Sequence, residues 1–331
     1  MTAPSSVAMR AAAFFDGTTI REGRLVLDDR GARLESEPAP PGTARVDGLI
    51  TGRPTDHHVH LQLVDAERLG TGLLGRVVDL GAEPSWIRAT ADRSGGRVAF
   101  AGAFLTPPGG YPSDRSWAPA GSVREVGDAA GAAAAVAEMR AAGASVVKVA
   151  SNLAAGPVFD DDLLRAIVDL AAAAGLPVVV HAEGPGQAQR VARLGAACLA
   201  HAPFTERLTD DEIVEQAAAI EWISTLAIHS GEALRIALDN VRRFHAAGGI
   251  LRYGTDMGNG RGPVDLRVDE IDALRTAGIE GIALLRTLAL SDPLAASDPL
   301  APDAGLLILP DGDPARARRL TPADALEGGS T

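Results

Sequence analysis

The sequence predicts an α/β fold, a (β/α)8 TIM barrel, from two observations. Apolar, strand-like runs alternate with helix-like runs through the middle of the chain, joined by short connections, which is the pattern of a parallel sheet. The strands counted this way number eight between about residues 49 and 256, and eight units in one continuous array favour a closed barrel over an open sheet. No Gly-x-Gly-x-x-Gly follows the first strand, which weighs against a dinucleotide-binding fold.

Taken in order, residues 9–48 read as short strands and turns. Phe14-Phe15-Asp16-Gly17 supplies one turn, Arg24 to Leu27 alternates, and Asp28 to Gly31 turns again. The first barrel strand enters through Leu49 and Ile50 and runs into Thr55-Asp56-His57-His58-Val59-His60. Arg76–Leu80 and Arg97–Leu105 follow as β-rich runs, then the Ala-rich helix Ala129–Ala142, stopped by Gly143. Strands are expected at Ser145–Val149, Leu176–Val180, Ala197–Ala200, Trp222–Ile228 and Ile250–Gly254. Helices fill the gaps at Asp162–Ala174, Gln187–Leu194, up to Ile220, Glu232–Ala247 and about Val268–Ala277. Thr209 and Glu212 stand at capping-box spacing before the third of these, where each side chain can satisfy an orphan amide of the other. Near the far end Gly305–Leu309 reads as a strand closed by Pro310-Asp311-Gly312-Asp313. The two strand-rich ends can therefore pair into one small sheet. The expected division is 1–48 for the N-terminal part of that sheet, 49–290 for the barrel, and 291–331 for the returning strands and tail.

Composition narrows the function. Of the 331 residues 46% are hydrophobic, enough for a large core, and no apolar run reaches the length of a membrane span. The first sixteen residues lack the basic-then-apolar order of a secretory signal. The single cysteine, Cys198, excludes an internal disulfide and fits a reducing, cytoplasmic setting. A net charge of −12 without a basic patch argues against nucleic acid as a partner. A small-molecule substrate, no membrane partner and a homo-oligomer allowed by an apolar barrel exterior are the expectations that remain.

The informative residues are placed by strand parity. On a strand, Asp56, His58 and His60 share one face and His57 and Val59 the other, so two imidazoles can reach one metal ion. Lys148, His181, His201 and Asp256 each end an apolar run, and in a barrel such ends converge on one mouth. A lone histidine at a strand end is usually a capped or solvated side chain. Six such residues at one mouth read as a metal site. Nitrogen and oxygen donors with an open position suit zinc held for catalysis, which brings bound water towards pKa ~7, and Asp256 can take that water's proton. Tyr111, Glu183, His229, Asn259 and Arg261 are candidates for touching substrate. The bland alternative is a solvated rim carboxylate for Glu183, a solvated loop arginine for Arg261 and a capped strand end for His229.

These motifs together resemble the amidohydrolase superfamily, within it the imidazolonepropionase and metal-dependent prolidase-like branch. The resemblance spans about Phe15 to Asp313 and rests on Asp56-x-His58-x-His60, Val78-Asp79-Leu80-Gly81, Val147-Lys148-Val149, His181-Ala182-x-Gly184, Ala200-His201-Ala202 and Gly254-Thr255-Asp256. It implies a (β/α)8 barrel with a small β-sandwich built from both chain ends. It also implies two divalent ions, zinc by preference, bridged by a carboxylated Lys148. His58, His60 and Asp256 would hold one ion, and His181 and His201 the other. A hydroxide between them would attack a carbonyl, cleaving an amide, peptide-like or cyclic C–N bond, with Asp256 as proton shuttle.

The chain also departs from that pattern. Glu183 stands where prolidase-like members often carry a second histidine, the Thr106–Tyr111 loop has none, and no helix rich in Asn and Ala follows Gly281. The related deaminases are mononuclear and use a glutamate three residues after the strand-five histidine, whereas Glu183 lies two after His181. A lactonase or ester hydrolase on the same site, a mononuclear deaminase, and lastly a metal-free binding protein remain the alternatives.

Overall fold

The computed structural model describes residues 8–28, 31–260, 262–301 and 305–326. They belong to two compact units, one within Met1–Thr55, Glu67–Gly75 and Glu280–Thr331, the other within Asp56–Ala66 and Arg76–Ile279.

The first unit opens with four strands, β1 (Ala8–Phe15), β2 (Ile20–Asp28), β3 (Gly31–Glu35) and β4 (Arg45–Thr51). The β1–β2 hairpin turns at Asp16, whose carboxylate accepts from the Thr18 and Thr19 amides and the Thr18 hydroxyl. The turn expected at Asp28–Gly31 falls in part on positions 29 and 30, outside the described residues. Period-two burial along these strands sends Phe14, Leu25 and Ile50 into one core.

The second unit supplies β5 (Thr55–Val59), β6 (Arg76–Asp79), β7 (Val98–Phe100), β8 (Phe104–Thr106), β9 (Val123–Glu125), β10 (Val147–Asn152), β11 (Val178–Glu183), β12 (Cys198–Leu199), β13 (Glu221–Ile223) and β14 (Leu251–Arg252). The chain then returns to the first unit with β15 (Leu307–Leu309) and β16 (Arg318–Arg319). There the order is β16-β15-β4-β1-β2-β3, with Ile308 of β15 opposite Ile50 of β4. Strands from both ends of the chain thus share one sheet and one core.

In the second unit β14-β13-β12-β11-β10-β8-β9 form a parallel sheet of seven strands, and β5-β6-β7 a sheet of three. The two sheets exchange backbone hydrogen bonds on both sides. The Ser145 amide donates to the Phe100 carbonyl (2.9 Å), the His57 amide to Tyr253 (3.0 Å) and the His60 amide to Met257 (2.7 Å). The helices between strands end as their residues dictate. Helix α1 (Pro84–Arg93) is capped by Glu83, α2 (Ala129–Ala142) stops at a left-handed Gly143, and α3 (Asp161–Ala173) is capped by Asp160. After α4 (Gln187–Arg193), α5 (Asp210–Ala219) opens with the Thr209–Glu212 capping box in place. Helices α6 (Gly231–Ala246), α7 (Val268–Thr276) and α8 (Gly281–Thr287) follow.

Three expectations need correction. The run Arg97–Leu105 is broken into β7 and β8 at Ala101–Ala103, where Gly102 takes φ +79°. Trp222–Ile228 is not one strand: β13 stops at Ile223, Thr225 turns left-handed (φ 43°), and Leu226–Ile228 is a 3-10 turn. Lys148 does not end its strand, because β10 runs on to Asn152. Among the described residues no helix is long and apolar enough to cross a membrane.

Candidate metal centre

All six residues expected at the mouth line one cavity of about 190 Å³. Its floor starts at β5, where parity aims Asp56, His58 and His60 inward, and all three are buried. Asp56 is structural. Its carboxylate accepts from the His58 amide (3.0 Å), the Thr255 amide (3.1 Å) and the Thr255 hydroxyl (2.6 Å), tying β5 to the residue before Asp256. Burial pushes its carboxyl up to about 7 despite those donors. Gly254 permits that approach, since a Cβ there would lie 2.2 Å from the Ile223 side chain and 3.2 Å from His58. Asp256 itself sits at φ 51°, a strained conformation of the kind retained at functional sites.

His58, His60 and Asp256 bring their ligand atoms within 4.8 Å of one another. Nδ1 of His58 lies 2.8 Å from the Ala200 carbonyl, and Nδ1 of His60 3.3 Å from that of Gly81. A carbonyl only accepts, so both Nδ1 atoms carry the proton and both Nε2 atoms present lone pairs. Those Nε2 atoms are 3.3 Å apart, and each lies 3.1–3.2 Å from Asp256 Oδ1. Burial first, then the Lys148 charge, holds the His58 imidazole well below its usual range, hence neutral. Two imidazole nitrogens and a carboxylate oxygen thus converge on one point. The donor set therefore fits a divalent ion. Burial alone would raise the Asp256 carboxyl, but His58, His60 and His201 together bring it well below the usual range. Its Oδ2 accepts from the Asn259 amide nitrogen at 2.8 Å.

Lys148 lies beneath this trio. It pairs in register with Val179, while His181 pairs with Ala150 two residues further along, so the lysine is deeper than a residue at the strand end. Its Nζ is buried without a hydrogen-bond partner. Burial pushes its pKa down to about 7, against the opposing pull of Asp256, Cys198 and Asp79. An ammonium with three unsatisfied donors is costly there, and the amine is available to react.

His181 and His201 form a second, looser pair, with rings 4.9 Å apart at 88°. His201 Nδ1 meets the Thr225 hydroxyl at 2.8 Å. His181 Nε2 donates to Glu183 Oε2 at 3.0 Å, and Asn152 Nδ2 reaches the same oxygen at 2.6 Å. Glu183 thus orients His181, leaving Nδ1 as the nitrogen open to an ion.

Solved structures with this arrangement of elements are known. A Xaa-Pro dipeptidase crystallised with methionine in its active site is 16% identical over 98% of this chain and 97% of its own, with a TM-score of 0.69. An ochratoxinase from A. niger is 16% identical over 93% and 90%, at 0.66. An amidohydrolase is 19% identical over 98% and 95%, also at 0.66. The chain shares their fold. The neighbours are of the kind that the sequence motifs resemble. No protein-family model matches the chain, and no curated protein matches it by sequence.

Of the substrate-contact candidates, Tyr111, Glu183, His229 and Asn259 line the cavity, and Arg261 lies outside the described residues. His57 faces away, with Nδ1 against the Tyr253 carbonyl at 3.1 Å. Sequence reasoning missed Phe104, Trp117 and Phe204, which also line the cavity. It also missed two buried carboxylates that hold the ligand-bearing loops. Asp79 accepts from the Leu61 (2.6 Å) and Gly81 (2.9 Å) amides, beside His60 and its acceptor. Glu270 of α7 accepts from the Leu226 (3.0 Å) and Ala227 (2.7 Å) amides, just after Thr225. The Val78-Asp79-Leu80-Gly81 motif was a signal for Asp79; Glu270 lay within an ordinary helical pattern.

Proposed function

We propose that this protein is a metal-dependent hydrolase of amide, peptide-like or cyclic C–N bonds, with a closed (β/α)8 barrel carrying the site and a separate small sandwich built from both chain ends. The observation that carries the reading is the meeting of the His58 and His60 lone pairs with Asp256 Oδ1 above the unpartnered Lys148 amine. The amide chemistry draws on the dipeptidase and amidohydrolase that share the fold. Closure is supported by the backbone hydrogen bonds that join the two sheets on both sides.

In this reading His58, His60 and Asp256 hold one divalent ion, most simply zinc, and His181 and His201 a second. Lys148, once carboxylated by CO₂, would supply the further oxygen donors for both ions. When bound, such ions polarise a carbonyl and bring water towards ionisation at neutral pH. Asp256 would accept a proton on its carboxylate and deliver it to the departing nitrogen, while Asn259 orients the group through Oδ2. Ala200 and Gly81 hold the two imidazoles in the tautomer that binding needs. We place the chain in a reducing compartment, in keeping with its one, buried cysteine.

The test is elemental analysis per chain on protein purified without a metal-affinity tag, followed by a screen of dipeptides, N-acyl amino acids and cyclic amides. About two equivalents of metal, reduced by removing CO₂, with turnover of an amide, are expected. One equivalent points to a mononuclear centre, and none after reconstitution with zinc and bicarbonate overturns the reading.

A further inference from the structure

The chain is poor in aromatic residues, with 7 Phe, 2 Tyr and 3 Trp in its whole length. Yet Phe104, Tyr111, Trp117 and Phe204 all line this single cavity. Aromatic residues spent on the core look different here. Trp222 and Phe244 stack face to face at 3.8 Å and 6°, and both are fully buried. At the cavity, Trp117 is 38% exposed. It meets Phe104 edge-on at 6.3 Å and 77°, and Tyr111 tilted at 6.0 Å and 54°. Such contacts hold Trp117 edge-on or tilted rather than stacked. The neighbours of this wall are themselves braced. Phe104 stacks on His60 at 5.6 Å, and the Arg115 guanidinium lies 5.7 Å over the Tyr111 ring.

The loops after β12 and β13 supply a second wall. Phe204 lies 4.2 Å from His229 at 30°. His229 Nε2 is buried with no hydrogen-bond partner, and a buried polar nitrogen left unpaired has a cost that a ligand can remove. Burial brings this imidazole down to about 4, so it is neutral in ordinary buffer.

We infer that the substrate carries an aromatic ring beside the bond to be cleaved, seated against the rings of Phe104, Tyr111, Trp117 and Phe204, with His229 Nε2 hydrogen-bonding a polar atom next to that ring. This rests on the amide-hydrolase reading for the reaction, though not for the binding. The cavity, at about 190 Å³, lies below the ~300–1,000 Å³ typical of drug-sized ligands, which suits one ring and its amide better than a long peptide.

The test separates binding from turnover. Calorimetry on the zinc-loaded protein compares benzamide with cyclohexanecarboxamide, which has similar bulk and no π face. Benzamide is expected to bind at least ~5-fold more tightly, in line with the strength of aromatic pairs. Trp117→Leu and Phe204→Leu, each checked for an unchanged far-UV spectrum, should each lower that preference ~2–10-fold. His229→Phe should weaken benzamide while leaving benzene binding unchanged. Hydrolysis of N-benzoylglycine against N-acetylglycine then reads the same preference in kcat/KM. A ring preference in binding without cleavage of any amide would sustain the ring site and remove the proposed reaction. Amides cleaved with no ring preference, in wild type and both leucine variants alike, would overturn the ring site.

Discussion

The two halves of the centre are built to different standards. His58, His60 and Asp256 hold their ligand atoms within 4.8 Å of one another, buried, with each imidazole's other nitrogen against a backbone carbonyl. His181 and His201 are braced by side chains, Glu183 and Thr225, and His181 retains 12% side-chain exposure. Between the halves lies Lys148, whose amine has no partner. Under the proposed function, the difference teaches that the chain itself would preform one ion site, whereas the second would need a donor that Lys148 does not possess until it is modified. Variants should therefore affect the two ions unequally.

The largest effect is expected at Asp256, which in the proposed mechanism is both ligand and proton acceptor. Asp256→Asn should lower kcat by ~10²–10⁴-fold, the usual range for loss of a positioned acid–base group, and should weaken the first ion. Single-turnover kinetics with metal quantification measure both. Wild-type turnover in this variant would remove Asp256 from the proton path.

Lys148→Met comes next. It should leave about one ion per chain and abolish activation by bicarbonate. It should also stabilise the metal-free protein, because a buried polar group without partners costs ~1–3 kcal/mol. The sign with pH follows from the depressed lysine pKa, about 7 against 10.5 unfolded. Between those values the unfolded chain binds more protons, so wild-type stability falls as pH drops from about 10 to 7. The methionine variant's gain in Tm should accordingly be greatest at pH 7 and shrink towards pH 10 to the part due to the unpartnered amine alone. A gain independent of pH would show that the amine is not neutralised on folding.

Glu183→Ala tests the looser half alone. Loss of a carboxylate that orients a ligating histidine typically weakens metal affinity ~10–100-fold. Chelator competition should show that loss for the second ion and none for the first. Equal loss from both sites would mean that the two halves are not separable.

What could be read in the sequence follows the same division. Parity on β5 and the sequence Gly254-Thr255-Asp256 were enough to bring the first trio together, because strand alternation is a local rule. The depth of Lys148 was not readable. Val146-Val147-Lys148 looks like a strand ending in a polar residue, but Val149 to Asn152 are also buried and continue β10. Glu183 read either as a contact to substrate or as a solvated rim carboxylate, since its bond to His181 depends on a strand running two residues past the histidine. Trp222–Ile228 read as one apolar strand because nothing local marks the left-handed turn at Thr225. That turn depends on Glu270, 43 residues beyond Ala227 in the chain. The aromatic walls were missed for a related reason: Phe104, Trp117 and Phe204 come from separate segments with no spacing in common.

The smallest effect is expected from Asp79, which supports the better-built half from beneath. Its two carboxylate oxygens accept from amides on either side of His60's surroundings, Leu61 N and Gly81 N. Asparagine keeps one acceptor and turns its NH₂ towards the other amide, so Asp79→Asn opposes two donors in a fully buried place. The penalty for such a mismatch is ~1–3 kcal/mol. At this chain length that corresponds to a fall in Tm of roughly 1–2 °C per kcal/mol. Because Gly81 also supplies the carbonyl that fixes His60 Nδ1, the loosening should reach the first ion as a few-fold loss of affinity while Lys148 carboxylation persists. A variant that loses stability with first-ion affinity intact would show that the trio is held by Asp56 and the β5 backbone, and that Asp79 serves the fold alone.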